Sequence, residues 1–380
     1  MEAYFDNAAT TAVYPEVKDL MVKLFCEDFG NPSSLHMKGV EAERYIKEAA
    51  ARIAGVLKCQ EKEIVFTSGG TESNNLAIIG SAMAHRRAGK HIITTKIEHA
   101  SVAATMNFLE KEGYTVTRIG VDEHGKVRLD ELAEALRPDT ILVSVMYVNN
   151  EIGTIEPVEE IVKTVKQYNP KILCHADAIQ AFGKLRFSPR KLGVDLLSIS
   201  GHKIHGPKGS GALYIKDKTL IRPIIYGGGQ QREYRSGTEN VPAIAGMGLA
   251  AELIYKDNEA KMGHIEKLKN SFIEKVTQLE NVFSNSQEAP HIASISFTGI
   301  RSEVMLHALE DKGIYVSAGS ACSSNKPHVS SVLEAINLSQ DRLESTLRFS
   351  FSEDNTMEQV DYAIECVGEL LPMLRRYVRK

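Results

Sequence analysis

The sequence of 380 residues lacks several features that would assign it to a class of protein at once. No apolar run approaches the roughly 18 residues of a membrane-spanning helix, so we expect no membrane segment. The opening stretch MEAYFDNAATTAVYPEV has neither the basic start nor the apolar centre of a signal peptide. The formal net charge of −4 argues against a dedicated nucleic-acid binder, which is usually basic. These absences leave an ordinary globular protein with no direct nucleic-acid or membrane partner.

Cysteine is scarce and shows no paired spacing. The five cysteines are scattered, odd in number and without a CxxC motif: Cys26, Cys59, Cys174, Cys322 and Cys366. This usage is typical of free thiols in a reducing cytosol rather than of a disulfide framework. We therefore predict a cytoplasmic protein.

What the sequence does have is a regular alternation of strand-like and helix-like segments. Alternation of this kind predicts an α/β fold, with a mostly parallel sheet covered by helices on both faces. We predict a large domain over 16–255 and a smaller α+β domain formed by 1–15 and 256–380, with one long helical region over 241–280. The seven predicted strands of the large domain are Glu63–Phe66, His91–Thr95, Thr115–Ile119, Ile141–Tyr147, Ile172–His175, Leu196–Ser200 and Gly211–Ile215.

One lysine, Lys203 in SISGHKIHGPKGSGALYI, follows an apolar strand and lies in a glycine-rich bend. It could be an ordinary surface lysine, part of a phosphate loop, a neighbour of a metal site or a covalent anchor. The phosphate loop fails because Pro207 stands where a Walker motif requires lysine. His202 and His205 could suggest a metal, but the glycines argue against a helix there and no HExxH motif exists, so we predict no metal.

A lysine that bonds covalently to pyridoxal phosphate needs a place for the phosphate. Backbone N–H groups at a helix N-terminus and nearby hydroxyls provide one. The segment FTSGGTESNNLAI ends a strand and begins a helix, where Gly69 and Gly70 permit close approach and Thr71 offers an N–H and a hydroxyl. Taken alone, Gly-Gly-Thr is more often an ordinary helix cap.

The cofactor ring needs an acid beside its nitrogen and a flat neighbour. Asp177 and Gln180 lie in CHADAIQAFGK at the end of an apolar strand, and His99 in KIEHAS follows another strand. Each of these residues has a plain structural reading as a cap or a core side chain. Ligands of open α/β sheets bind outside the carboxyl ends of the strands, and all of these features occur there.

With these residues assembled, the chain resembles the class V, fold-type I pyridoxal-phosphate enzymes, and within them the cysteine desulfurases of the NifS/IscS type. The resemblance runs nearly from end to end. The motifs that carry it are DNAATT, FGNPSSLH, EIVFTSGGTESNNLAI, KHIITTKIEHASV, VNNEIGTIEP, HADAIQAFGK, SGHKIHGPKGSGALY, GGGQQREYRSGTEN, AGSACSS and LRFSFS. The segment DAIQ departs from the DATQ of many relatives, so one hydroxyl near the cofactor is missing.

The resemblance implies a role for each site residue. Lys203 would hold the cofactor, Asp177 would pair with the ring nitrogen, Gln180 would contact the ring oxygen, and His99 would stack on the ring and move protons. Gly70, Thr71, Ser200 and His202 would bind the phosphate, with Thr238 reaching in from the second subunit of a homodimer. Asn150 and Arg348 would grip the substrate carboxylate.

Cys322 differs in context from the other cysteines, because small and polar residues surround it in YVSAGSACSSNKPHVSSV. Such a segment favours an exposed loop, where a thiol is a candidate nucleophile. The resemblance implies that L-cysteine becomes L-alanine while its sulfur remains as a persulfide on Cys322. Lys326 and His328 could favour the thiolate that this attack requires.

The resemblance also implies a partner that accepts the sulfur, and an Fe–S scaffold, a tRNA-thiolation enzyme and cofactor biosynthesis all stay open. Two rival interpretations remain open. One is a selenocysteine lyase or another class V aminotransferase or lyase, and the other is a non-catalytic protein on the same scaffold.

Overall fold

A computed structural model describes residues 1–318 and 330–378 of the chain. Short strands alternate with helices as far as residue 215. The strands are β1 Ala3–Tyr4, β2 Ile64–Thr67, β3 His91–Thr95, β4 Thr115–Ile119, β5 Thr140–Met146, β6 Leu173–Asp177, β7 Leu196–Ser200, β8 Gly211–Ile215, β9 Val282–Ser284, β10 Ile292–Phe297, β11 Ile314–Tyr315, β12 Ser317–Ala318 and β13 Thr346–Ser350. The α-helices are α1 Pro15–Cys26, α2 Met37–Leu57, α3 Gly70–His85, α4 Ala100–Lys111, α5 Leu129–Ala135, α6 Val158–Tyr168, α7 Pro189–Leu192, α8 Val241–Tyr255, α9 Asn258–Val276, α10 Ser302–Glu310, α11 Ser331–Ala335, α12 Gln340–Ser345 and α13 Met357–Val378.

Seven strands form the main sheet, in the order β2-β8-β7-β6-β5-β3-β4. Strand β8 runs antiparallel to β2 and β7, and the other neighbouring pairs are parallel. Every residue of β5, TILVSVM, is buried, as expected for a strand covered by helices on both faces. The predicted fold class is confirmed, and each predicted strand lies within two residues of an observed one.

The helices over the sheet follow apolar periodicity. Helix α6 buries Val158, Ile161, Val162 and Val165, which lie on one face at spacings of three and four residues. The long helical region predicted over 241–280 is wrong in one respect, because it divides into α8 and α9. Lys256 takes an extended conformation and Asp257 a left-handed one with φ 53°, which breaks the run of α-helical hydrogen bonds.

A second hydrophobic core lies apart from the sheet. It combines Ala3 and Phe5 with buried residues between Ile265 and Leu371, and it surrounds the antiparallel sheet β12-β13-β10-β9. Strand β1 pairs in parallel with β11, which ties the N-terminus to this core. We propose that this core belongs to the smaller domain predicted from the sequence.

Within the described residues, no helix combines the length and the apolar character that crossing a membrane would require.

The aromatic centre of the second core yields a prediction about stability. The ring of Phe272 is fully buried, and its centroid lies 4.5 Å from that of Phe349 and 5.9 Å from that of Phe351. We expect Phe272→Ala to lower the free energy of unfolding by about 3–5 kcal/mol, because it opens a cavity among these rings. Phe283→Ala, at a position that is 44% exposed, is the matched control and should cost far less in urea unfolding. Equal losses in the two variants would contradict the buried position of Phe272.

Candidate functional site

Polar side chains gather where parallel strands of the main sheet end. Strand β6 ends at Asp177, β7 leads into Lys203, β3 precedes His99 and β5 precedes Asn150. Ten predicted residues line one cavity of about 490 Å³: Gly70, Thr71, His99, Asn150, Asp177, Gln180, Ser200, His202, Lys203 and Arg348. Clefts of about 720 and 1120 Å³ lie elsewhere, so chemistry rather than size identifies the site.

Lys203 is half-buried in a single 3₁₀ turn directly after β7. Its Nζ donates hydrogen bonds to the carbonyl oxygens of Ala8 at 2.6 Å and Ala9 at 2.7 Å. The Ala8 oxygen also accepts a hydrogen bond from Gln180 Nε2 at 2.9 Å. The N-terminal segment therefore fixes the amine and the amide on the same side of the cavity.

Asp177 lies buried at the floor of the site. Its two carboxylate oxygens accept hydrogen bonds from Asn74 Nδ2 at 2.7 Å and from the backbone N–H of Ile179 at 3.0 Å. Burial raises the pKa of Asp177, and these donors, together with His99 and Lys203, act in the opposite direction. A buried carboxyl group that is surrounded by hydrogen-bond donors and cations is suited to pairing with a protonated nitrogen.

His99 caps the N-terminus of α4. Its Nδ1 accepts a hydrogen bond from the backbone N–H of Ser101 at 3.1 Å and lies 2.8 Å from the Ser101 hydroxyl. Burial lowers the pKa of His99, Asp177 raises it, and the charges of Lys203 and Arg348 lower it further. Because Nδ1 is an acceptor, the neutral ring carries its proton on Nε2.

One side of the cavity, at the start of α3, is suited to binding an anion. Helix α3 begins at Gly70, and the N-terminal N–H groups and positive dipole of this helix lie beside Thr71, Ser200 and His202. The Ser200 hydroxyl is buried and finds no hydrogen-bond partner in the part of the chain that the structure describes. Burial lowers the pKa of His202 to about 4, and Lys203 and Lys208 act in the same direction, so this ring is neutral at neutral pH.

These features fit pyridoxal phosphate. The unpartnered Ser200 hydroxyl and the start of α3 suit a phosphate, while the Asp177 carboxyl suits the protonated ring nitrogen. The packing at the helix start is close, because a Cβ placed on Gly70 would lie 2.2 Å from Cδ1 of Ile179. A larger residue at position 70 would push Ile179 into the cavity.

Arg348 lies on β13 with only 8% of its surface exposed. Its Nη2 donates to Asp6 Oδ1 at 2.9 Å and its Nη1 donates to the carbonyl oxygen of Asn150 at 2.8 Å. The Ser317 hydroxyl also donates to Asp6, at 2.8 Å. The guanidinium is thus held in place from two sides at the cavity wall.

One predicted residue does not line this cavity, and another lies outside the described part of the chain. Thr238 is exposed and is absent from the cavity lining of this chain. Cys322, with Lys326 and His328, lies outside the described residues. The roles of all the site residues stay predictions. Over the ranges described, no group of histidine, cysteine and acidic side chains could hold a metal ion.

Several residues of the site were missed by the sequence interpretation. Asn74, Ser101 and Glu98 lie within quoted motifs, yet no role was given to them. Asn74 lies four residues after Gly70 on α3, and this helical spacing was the available signal. Asp6 lies in DNAATT, and nothing local links it to Arg348.

Glu98 gives a testable pH dependence. Burial raises its pKa to about 8 from the usual 4.5, although Thr95 and the backbone of Met146 donate to Oε1. The unfolded chain loses this proton near pH 4.5, so Glu98 costs the native state stability as the pH rises from 4.5 to 8. We expect Glu98→Gln to gain at least about 1 kcal/mol in unfolding free energy relative to the wild type between pH 5 and pH 8.5.

Urea unfolding of both proteins across this pH range measures the difference. Glu134→Gln, at an exposed position of α5, is the control and should keep a constant offset from the wild type. A constant offset for Glu98→Gln as well would show that Glu98 is ionised in the native state.

Comparison with known proteins agrees with this geometry. The family described as Aminotransferase class-V matches residues 3–363. The chain is 44% identical to "Cysteine desulfurase IscS" of Dictyoglomus turgidum, with 98% of this chain and 95% of that protein covered. It is 42% identical to "Putative cysteine desulfurase IscS 1" of Bacillus subtilis, over 98% of this chain and 99% of that protein.

Solved structures give the same result. One described as a NifS-like protein superposes with a TM-score of 0.94 at 39% identity, covering 98% of this chain and 100% of that chain. Another, described as SspA in complex with cysteine, has a TM-score of 0.81 at 34% identity and covers 93% of this chain and 100% of that chain.

Proposed function

The chain belongs to the Aminotransferase class-V family of pyridoxal-phosphate enzymes, and on that premise we propose that it is a cysteine desulfurase. It converts L-cysteine to L-alanine and leaves the sulfur as a persulfide on Cys322. The observation that carries the proposal is the cavity where Lys203, Asp177 and His99 meet the start of α3. The names of the relatives and the cysteine-bound SspA structure support the choice of substrate.

The cofactor, when bound, withdraws the electron pair released at the substrate α-carbon. Lys203 is the residue proposed to anchor it, and Asp177 is proposed to hold its ring nitrogen. Ser200, His202 and the N–H groups that begin α3 are proposed to bind its phosphate. The neutral state of His202 suits this position, because it can donate one hydrogen bond without adding a charge.

Arg348 is proposed to bind the substrate carboxylate, assisted by Asn150. Its buried guanidinium has an Nε that finds no acceptor among the residues described, although Asp6 and Asn150 each engage one terminal nitrogen. A planar fork with remaining N–H groups suits a carboxylate. Asp6 orients the fork from behind and limits its motion.

The hydrogen bonds of His99 favour one assignment of the proton steps. Neutral His99 has Nδ1 engaged by Ser101 and its proton on Nε2, so it can donate a hydrogen bond from Nε2 but has no free ring nitrogen to accept a proton. The Nζ of Lys203 is therefore the better base for the substrate α-proton. Asp177 interacts electrostatically with both groups, and its carboxylate favours their protonated forms.

The sulfur step follows from thiol chemistry. The thiolate of Cys322 attacks the substrate sulfur, an S–S bond forms, and the Cβ–S bond breaks. The electron pair of the broken bond stays with the carbon fragment, which takes up protons and leaves as L-alanine. One L-cysteine and one thiol thus give one L-alanine and one persulfide, without an external oxidant.

We further propose that the enzyme is a cytoplasmic homodimer that passes sulfur to an acceptor protein. Exposed apolar side chains between residues 22 and 40, among them Phe25, Phe29 and Met37, support a subunit interface. An Fe–S scaffold or a tRNA-thiolation enzyme would serve as the acceptor. A selenocysteine lyase uses the same cavity and is the alternative that the cysteine assay below separates.

The proposed role of Arg348 can be tested with a conservative substitution. We expect Arg348→Lys to raise KM for L-cysteine at least about tenfold with a smaller effect on kcat, because lysine keeps the charge but loses the two-pronged hydrogen bonds. Steady-state alanine release measures both constants. Arg342→Lys, which alters an arginine that bonds Ser284 and Asn285 away from the cavity, is the control. An unchanged KM for Arg348→Lys would remove Arg348 from substrate binding.

The proposed role of Cys322 can be tested by removing its thiol. Cys322→Ser should lower alanine formation from L-cysteine at least about 100-fold and abolish the protein persulfide, because a hydroxyl cannot take over the sulfur. Alanine and persulfide are quantified together in wild type and variant. Cys26→Ser, at an exposed free thiol on α1, is the matched control and should keep both. Full persulfide yield from Cys322→Ser would overturn the proposed nucleophile.

A further inference from the structure

Asn74 is fully buried on α3, although its polar segment TESNN reads as a solvent-exposed helix surface. Its Nδ2 lies 2.7 Å from Oδ2 of Asp177 and 2.9 Å from Oγ of Ser101. The reverse orientation of the amide would place an oxygen against the Asp177 carboxylate, so the nitrogen must be the shared atom. Both of its N–H groups are therefore used in the site.

The contact with Ser101 continues to His99. Nδ1 of His99 accepts from the Ser101 backbone N–H, so the Ser101 hydroxyl at 2.8 Å must also point its hydrogen toward Nδ1. The hydroxyl can do so while its oxygen accepts from Asn74. A one-directional chain of donors results, from Asn74 through Ser101 to His99.

We propose that Asn74 is a positioning residue that sets both the orientation of the Asp177 carboxylate and, through Ser101, the proton position on His99. The inference rests on the proposed function and extends it, because it links the group that would hold the ring nitrogen to the group that would stack on the ring. One amide thereby keeps the acid in place and holds the imidazole as an Nε2–H donor. None of the motif-based assignments gave Asn74 a role.

The substitution Asn74→Asp should reverse the direction of this chain of donors while the side-chain volume stays nearly constant. An aspartic acid has at most one hydrogen, which the neighbouring Asp177 carboxylate takes, since two adjacent carboxylates cannot both be ionised. The same oxygen, which takes the place of Nδ2 beside both partners, then accepts from the Ser101 hydroxyl and withdraws that hydrogen from His99. The reversal follows whether the new acid is ionised or protonated.

The measurement is the pKa of His99, read from ¹⁵N-histidine NMR of the full-length protein with pyridoxal phosphate bound and after its removal. His99→Gln identifies the signal. The charged groups that act on this ring are Asp177 on β6, Lys203 after β7 and Arg348 on β13, and all three stay unchanged. We expect Asn74→Asp to raise the pKa of His99 by about one unit, the value of one lost hydrogen bond to the neutral ring.

Two further variants separate the donor chain from simple charge. Asn75→Asp places the same acid one residue along, where the native amide bonds the Thr71 carbonyl oxygen instead of the site, and it should shift the pKa of His99 much less. Ser101→Ala should itself raise the pKa of His99, and Ser101→Thr should restore it. In the Ser101→Ala background, Asn74→Asp should change the pKa of His99 little further.

Equal shifts for Asn74→Asp and Asn75→Asp, or a full Asn74→Asp shift without the Ser101 hydroxyl, would overturn the donor chain. The Ser101 pair of variants decides the question if Asn74→Asp does not fold. A wild type that binds pyridoxal phosphate but forms no alanine from cysteine would instead contradict the proposed function. That second failure leaves the titration of His99 unaffected, so the two can be told apart.

Discussion

The buried carboxyl group of Asp177 is the constraint around which the site is arranged. A charge at this depth is costly unless donors and cations surround it, and the chain supplies Asn74, the Ile179 N–H, His99 and Lys203. These partners come from α3, the turn after β6, α4 and the turn after β7. The ends of the strands are therefore fixed relative to one another by a single electrostatic requirement.

The path of the N-terminal segment follows from the same need to give each buried charge a partner. Residues 6–14 pass from the second core across the mouth of the cavity. The carbonyl oxygens of Ala8 and Ala9 accept from Lys203, and Thr11 donates its backbone N–H to the His202 carbonyl oxygen at 2.9 Å. Carbonyl oxygens suit this position because they accept hydrogen bonds from the positively charged amine of Lys203, which lies close to the histidines. The segment that joins the two cores is thus also a wall of the site.

Much of this arrangement could be predicted from the sequence. The strands were predictable because β-branched runs alternate with amphipathic helices, and Asp177, His99 and Lys203 each follow such a run. Asn74 was missed, because only its four-residue helical spacing from Gly70 marked it, and a polar residue in a polar stretch of helix otherwise carries no local mark of burial. The pairing of Arg348 with Asp6 joins residues 342 apart, and no periodicity reports a contact at that range. The left-handed Asp257 that separates α8 from α9 has no glycine or proline beside it to mark a break in the sequence.

The ion pair between Asp6 and Arg348 has a consequence for biosynthesis. The two halves of the pair leave the ribosome 342 residues apart, an interval of about 20–70 s at ordinary elongation rates. In the last part of that interval all seven strands of the main sheet and Lys203 have been synthesised, while β13 has not. The main sheet can accordingly assemble before the pair of Asp6 and Arg348, and on the proposed role of Arg348 the carboxylate site is complete only when β13 has been made.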